Sequence, residues 1–156
     1  MRKITSIILI CTFFNFLSSI TLQQMFDEAE SFNEFDKYIT LEKNQVYTGS
    51  LGIYEGSVFI DGKGAIIDLE NGGGIWVYGS EQFPSSLIIK YATVKNGANY
   101  GITYAGSATG FIENCNFYNN DYGAKFYDYV EVEIKNCNFV HNTTFGLGIY
   151  SLEPII

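Results

Sequence analysis

A six-residue segment occurs twice in this chain, and this repeat restricts the possible folds more than any other feature. Residues 112–117 read Ile-Glu-Asn-Cys-Asn-Phe, and residues 134–139, which lie 22 positions later, read Ile-Lys-Asn-Cys-Asn-Phe. Weaker copies cover residues 89–104 and 66–77. The identity over Asn-Cys-Asn-Phe indicates duplication. A period of about 22 residues is typical of proteins built from stacked repeats.

Each copy contains three short apolar alternations separated by turn residues. Because side chains alternate across a strand, Cys115 and Phe117 share one face and Asn116 points away. Three such strands use up the period and leave no room for a crossover helix. The sequence therefore predicts coils of three strands, stacked in parallel about 4.8 Å apart. The expected core ladders are Ala92, Cys115 and Cys137; Val94, Phe117 and Phe139; Ile102, Ala124 and Leu147; and Tyr104, Phe126 and Ile149.

The pattern Ile-x-Asn-Cys-x-Phe, followed by Asn-Asn, Gly and a short apolar strand, resembles the right-handed parallel β-helix repeat of the pectate-lyase-like superfamily. The resemblance covers about residues 22 to 151. It implies an all-β fold, a right-handed parallel β-helix (solenoid) with an N-terminal capping α-helix. It also implies that Asn114 and Asn136 form a structural ladder of stacked amides at a bend, where Asn tolerates left-handed backbone angles. Members of the superfamily include enzymes on acidic polysaccharides and adhesin-like surface proteins.

The chain divides into three predicted regions. Residues 1–19 have a basic start and a short apolar run, which is typical of a signal peptide and too short to span a bilayer. Residues 20–37 carry apolar side chains every three or four positions and predict an amphipathic capping helix of three to four turns. Residues 38–156 are expected to form the β-helix. No polar cap follows its last strand, which favours a truncated or minimal member. The alternatives are a tail folded over the end or a covering partner chain.

The charge balance restricts the partners and the compartment. The formal net charge is -8, and Arg2 is the only arginine. Nucleic-acid binding needs a Lys/Arg footprint, so we expect no nucleic-acid partner. After signal cleavage no segment is long and apolar enough for a transmembrane helix. The protein is therefore expected to be secreted, either extracellular or at the cell surface.

Cysteines and acids offer few ligands for a cofactor. Cys115 and Cys137 would lie on neighbouring coils, within reach of a disulfide, but parallel Cβ directions favour stacked free thiols. One histidine and two core thiols argue against zinc binding, and no metal site is predicted. A calcium site among the scattered acids of the first coils is the alternative, and these acids are Asp61, Asp68, Glu70 and Glu81.

The candidate catalytic set is small. Lyases of the superfamily place acidic calcium ligands beside a basic residue on the outer face. The outward positions predicted here are Thr103, Lys125 and Gly148, and Asp121 and Asp128 flank Lys125. A lysine base with two acidic metal ligands is one interpretation, and a solvated surface pair is the other. His141 is interpreted as a polar turn residue.

Aromatic side chains give the stronger functional indication. Five tyrosines cluster around the last three coils and are candidate ligand-binding residues: Tyr100, Tyr118, Tyr122, Tyr127 and Tyr129. Such rings stack on sugars or anchor protein contacts, although they also fill ladders and cover turns. The sequence favours a non-catalytic, adhesin-like binding module for glycans or for another protein at the open C-terminal coil. The alternative is an incomplete or degenerate polysaccharide lyase-like enzyme that acts on acidic polysaccharide.

Overall fold

Three parallel sheets wind around one axis in the computed structural model, which describes residues 19–151. Sheet 1 has six strands: β1 (Ile20–Thr21), β3 (Val46–Thr48), β6 (Ile66–Asp68), β9 (Thr93–Lys95), β12 (Asn116–Tyr118) and β15 (Asn138–Val140). Sheet 2 has five: β2 (Lys37–Thr40), β5 (Gly56–Asp61), β8 (Ser85–Lys90), β11 (Thr109–Glu113) and β14 (Glu131–Lys135). Sheet 3 also has five: β4 (Leu51–Ile53), β7 (Ile75–Gly79), β10 (Tyr100–Gly106), β13 (Tyr122–Asp128) and β16 (Phe145–Ser151).

The strand register confirms the predicted ladders. Phe117 pairs with Val94 on one side and Phe139 on the other, and the two phenyl rings stack with centroids 5.2 Å apart. In sheet 3, Ala124 joins Ile102 to Leu147, and Phe126 joins Tyr104 to Ile149. The faint copy at residues 66–77 belongs to the same rows, since Ile75 and Val77 continue the sheet 3 ladders. The parallel solenoid predicted from the repeat is therefore confirmed.

Asparagine amides fix the corners between the sheets. Asn114 and Asn136 lie between sheets 2 and 1 at φ 53° and 52°, and Asn136 Nδ2 donates to Asn114 Oδ1 at 3.3 Å. At the next corner, Asn119 Nδ2 donates to Asn96 Oδ1 at 2.8 Å. These left-handed residues close each bend while their side chains connect neighbouring coils. Asn114 and Asn136 thus form a hydrogen-bonded pair of amides at this corner.

Asn120 is a buried amide whose counterpart one period later is Asn142. Its side chain is 1% exposed, and its Oδ1 accepts from the backbone N–H of Gly97 at 2.8 Å. Its Nδ2 donates to Val94 O at 3.2 Å and to Asn142 Oδ1 at 3.2 Å. Buried polar groups need such partners, so this amide supplies hydrogen bonds that the bent backbone cannot make for itself.

The N-terminal helix α1 (Leu22–Glu28) is shorter than predicted. Thr21 caps it through a reciprocal pair of hydrogen bonds with Gln24, and Leu22 is fully buried against the first coil. The helix ends where Ala29 turns extended, and a bridge between Phe32 and Phe35 then leads into β2. The predicted helix over 20–37 is wrong in length because the later apolar residues serve this turn instead.

The two cysteines described by the structure are free thiols, which agrees with the prediction of stacked thiols. Cys115 is buried and donates to Glu113 O at 3.3 Å. The hydrogen bond with Cys137, together with burial, raises the pKa of the Cys115 thiol. The same bond stabilises a Cys137 thiolate and lowers the pKa of Cys137 to about 7. The more exposed sulfur is therefore the more acidic one.

The predicted signal peptide over residues 1–19 lies almost wholly outside the described residues, as do Cys11 and residues 152–156. No helix within residues 19–151 is long and apolar enough to cross a membrane. On the last coil described, Leu147 is 36% exposed and Ile149 is 51% exposed. A protein partner at this coil stays a prediction.

Candidate functional site: an aromatic face around Lys125

The outer face of sheet 3 carries a concentration of aromatic side chains. Ile75 and Val77 face the core, so the strand alternation turns Trp76 and Tyr78 outward. Parallel register then aligns the outward residues of successive coils in rows. The central row is Gly52, Trp76, Thr103, Lys125 and Gly148, and the flanking rows contain Tyr100, Tyr122 and Phe145 on one side and Tyr127 and Tyr150 on the other.

Lys125 lies in the middle of four tyrosine rings. Its Nζ is 3.9 Å from the ring centroid of Tyr122, 4.9 Å from Tyr127, 5.2 Å from Tyr150 and 5.6 Å from Tyr100. An ammonium group within about 6 Å of an aromatic centroid is attracted by the ring quadrupole. We call Lys125 and these four tyrosines the tyrosine face. The cation therefore attracts all four rings on the outer face of sheet 3.

Lys125 is held as a cation. Burial alone would lower its pKa, but hydrogen bonds and charge interactions with the phenol groups of Tyr127 and Tyr122 outweigh that effect and raise it. Among the described residues it forms no ion pair, because the three ion pairs there use Lys90, Lys95 and Lys135. A permanently protonated lysine donates hydrogen bonds and is poorly suited to act as a general base.

The phenol groups are linked to one another. The hydroxyls of Tyr100 and Tyr127 are 3.4 Å apart, and this hydrogen bond, with partial burial, raises the pKa of Tyr100. Hydrogen bonding to Tyr122 likewise raises the pKa of Tyr150. The hydroxyls of Tyr100 and Tyr150 therefore remain protonated at neutral pH, and each can both donate and accept a hydrogen bond with a hydroxyl-rich ligand.

The two acids that flank Lys125 in sequence have other partners. Asp121 Oδ1 accepts a hydrogen bond from Thr144 Oγ1, and Asp128 Oδ2 accepts from the backbone N–H of Gly106 at 3.1 Å. Both therefore connect neighbouring coils. No cluster of three or more His, Cys, Asp or Glu side chains that could hold a metal ion occurs within residues 19–151. These contacts favour the interpretation of Asp121 and Asp128 as structural residues.

Thr103 is a correction to the predicted surface. It lies in the outer row beside Lys125, but its side chain is fully buried and its Oγ1 donates to Lys125 O at 2.6 Å. The aromatic rings that surround this row exclude water from it. Thr103 therefore positions the strand that carries Lys125 and is not available to a ligand.

A groove of about 360 Å³ continues the tyrosine face toward the N-terminal coils. Trp76, Tyr54 and Tyr100 line it, and the rings of Trp76 and Tyr100 have centroids 5.9 Å apart. Gly52 forms part of the groove, and a Cβ there would lie 2.7 Å from the ring of Tyr54. Because Gly52 has no side chain, the ring of Tyr54 can lie across the strand.

The structure brings together only three of the five candidate tyrosines. Tyr100, Tyr122 and Tyr127 belong to the tyrosine face, whereas Tyr118 lies on sheet 1, edge-to-face with His141 at 5.5 Å. Tyr129 lies beyond the end of β13 and is exposed. Tyr150, which the sequence reasoning missed, completes the arrangement. It occupies the position of Tyr127 on the following coil, so the repeat period alone could have found it.

The acidic residues predicted as calcium ligands lie apart, and two of them have other partners. Asp68 pairs with Lys95 at 3.0 Å and accepts from Asn96 Nδ2 at 2.9 Å. Asp61 accepts from the backbone N–H of Lys63 at 3.2 Å. A calcium site in these coils stays a prediction.

The winding of the three sheets and the regular outer rows define a parallel β-solenoid with an aromatic ligand-sized surface. The family model for the right-handed beta helix region matches residues 31–156 of the chain. The protein therefore belongs to the right-handed β-helix family, in agreement with the resemblance seen in the sequence. No curated protein and no solved structure matches the chain.

Proposed function

We propose that the protein is an exported, non-catalytic binding module that holds a carbohydrate chain against the tyrosine face. The observation that carries this proposal is the position of Lys125 among four tyrosine rings on the outer face of sheet 3. Aromatic rings offer a flat apolar surface to the C–H face of a sugar, and phenol hydroxyls bind its hydroxyl groups. A site built on strands is already in its binding geometry, which reduces the entropy lost on association.

The adjoining groove extends the site for more than one sugar. Trp76 and Tyr100 continue the aromatic surface along the solenoid axis, and Asn99 adds a side-chain amide. Neighbouring residues within one row belong to successive coils and are spaced by the strand separation of about 4.8 Å, so a linear chain along the axis meets ring after ring. This regularity favours a polymer over a compact small molecule.

The chemistry of Lys125 favours binding over lysis. Its raised pKa keeps the ammonium protonated, so it offers a hydrogen bond or a charge to a hydroxyl or carboxylate oxygen. The neighbouring acids are occupied by Thr144 and by the Gly106 backbone. Export, and hence an extracellular setting, follows from the basic and apolar N-terminal segment and is part of the proposal.

Binding is tested by isothermal titration calorimetry of the full chain against neutral β-glucan oligosaccharides and oligogalacturonates. Tyr122→Ala removes the ring nearest to Lys125, and the loss of one stacking partner is expected to weaken binding about 2- to 10-fold. Tyr129→Ala removes an exposed ring outside the face and is the matched control, with unchanged affinity. Equal losses in both variants, or no binding to any oligosaccharide, would contradict the proposal.

The enzyme alternative is tested in parallel with polygalacturonate and alginate in the presence of calcium. The proposal expects no unsaturated product. Product release that disappears in Lys125→Ala but persists in Lys63→Ala would assign catalysis to the tyrosine face and overturn the non-catalytic interpretation.

A further inference from the structure

The asparagine ladder at the corner between sheets 2 and 1 is interrupted. Asn136 Nδ2 donates to Asn114 Oδ1 at 3.3 Å, but the coil that precedes Asn114 has Tyr91 at the equivalent corner. A tyrosine cannot continue a ladder of side-chain amides. The hydrogen bonds of the described residues include none from Asn114 Nδ2. The last amide of the ladder therefore keeps its donor for another partner.

Tyr91 adopts a costly backbone conformation at this corner. Its φ is 55°, a left-handed value that is unusual for a bulky residue. Its side chain is 51% exposed, and no ring stacking or cation contact to it occurs within residues 19–151. Strain of this kind persists where the surrounding structure enforces it, and it is concentrated at functional positions.

The preceding coil widens the corner beside Tyr91. Asp61 is in register with Lys90, and Ile66 is in register with Thr93. Four residues lie between the paired positions on the earlier coil, whereas only two lie between them on the coil that contains Tyr91. Gly62 packs so closely that a Cβ would lie 2.6 Å from Tyr91 O, and the backbone N–H of Gly64 donates to that same oxygen at 2.7 Å. The glycine-rich segment thus holds the Tyr91 backbone in place and opens a space next to it.

That space is a groove of about 420 Å³, which lies in the range of small-molecule sites. It combines an exposed aromatic ring with amide, hydroxyl and ammonium groups, and its polar lining residues are Lys63, Thr93, Asn114 and Asn116. One flat apolar surface surrounded by groups that donate and accept hydrogen bonds matches a pyranose ring, which has a C–H face and hydroxyls at its edge.

We propose that this corner groove is a second carbohydrate site, which binds a single neutral hexopyranose with its ring stacked on Tyr91 and a hydroxyl oxygen accepting from Asn114 Nδ2. The site lies at the corner between sheets 2 and 1, whereas the tyrosine face lies on sheet 3, and the two share no residue. Its existence is therefore independent of the function proposed above.

The test is a titration of the ¹⁵N-labelled full chain with methyl glucoside, methyl galactoside and methyl mannoside, followed by NMR. At least one of these glycosides is expected to cause saturable shifts in the side-chain NH₂ signals of Asn114. Tyr91→Asn restores an amide at the ladder position and removes the ring, and it is expected to reduce the affinity about tenfold or more. Tyr91→Phe keeps the ring and is expected to keep binding.

Two results would overturn this site. One is the absence of saturable shifts at Asn114 with all three glycosides, and the other is equal affinity in Tyr91→Asn and the unaltered protein. Tyr122→Ala separates the two proposals, because it is expected to leave the Asn114 shifts unchanged. If Tyr122→Ala abolishes them, the signal comes from the tyrosine face and the corner groove is not a site.

Discussion

Replacing Tyr91 by Asn is expected to stabilise the protein. Tyrosine at φ 55° carries backbone strain of roughly 1–2 kcal/mol, much of which Asn avoids. An amide at this position would also accept from Asn114 Nδ2, and a hydrogen bond of this type contributes about 0.5–1.5 kcal/mol. The lost ring is half exposed, so its removal sacrifices little packing. The expected gain in the free energy of unfolding is about 1–3 kcal/mol.

Urea unfolding measures this gain, with Trp76 as the only tryptophan for fluorescence and circular dichroism as a second probe. With a urea dependence of roughly 2 kcal/mol per molar, the midpoint is expected to rise by about 1 M. Tyr91→Ala is the matched control, because alanine retains the strain and adds no amide, and its midpoint is expected not to rise.

A Tyr91→Asn midpoint at or below that of the unaltered protein would refute the reasoning about the ladder. A higher midpoint combined with undiminished glycoside binding would support the ladder and contradict the corner site. A gain in stability accompanied by a loss of binding would show that Tyr91 serves binding and lowers the free energy of unfolding of the protein.

Three further predictions concern a buried amide, the reactivity of a cysteine and the dependence of stability on acidic pH. Asn120→Leu leaves the Gly97 N–H and the Val94 carbonyl without their partner and is expected to reduce the free energy of unfolding by about 2–5 kcal/mol in urea; a loss below about 1 kcal/mol would contradict this. Cys137 is expected to react with iodoacetamide with a midpoint near pH 7, the value to which its hydrogen bond with Cys115 lowers its pKa, and a midpoint near that of an ordinary thiol would argue against that bond. Backbone and hydroxyl hydrogen bonds from Ser57 lower the pKa of Asp36, so its contribution to stability is present above its unfolded-state pKa and is lost as the pH falls through the folded value. Ser57→Ala is expected to reduce stability at neutral pH more than at pH 2, and an equal loss at both pH values would contradict this.

The fold was predictable because the repeat acts through physical rules that operate at short range. Cys115 and Phe117 alternate with Asn116, and the recurrence of all three residues one period later predicts which side chains meet across coils. The strands themselves are short, so the stacking of like positions determines the structure more than the propensity of any one segment. The same rules placed Lys125 on the outer face of sheet 3.

The groove beside the tyrosine face and the length of α1 depended on contacts that the repeat does not encode. The step along the chain from Trp76 to its partner Thr103 is longer than the regular period, because an extended connection lies between them. The faint copy at residues 66–77 includes Trp76, but this longer step hid the alignment of Trp76 with the outward row of Thr103 and Lys125. The length of α1 was wrong for a related reason, since Phe32 follows the helical spacing but forms a bridge with Phe35.

Within residues 19–151, each strand pairs only with strands of the coil before it and the coil after it, and this has a consequence for how such a protein changes in evolution. A duplicated coil inserted between β13 and β16 would find the same partners above and below and would leave the interior unaltered. On the outside it would add one more Lys125 with its accompanying rings. Under the proposed function, the length of polymer bound would therefore grow in steps of one coil, with the interior packing unchanged.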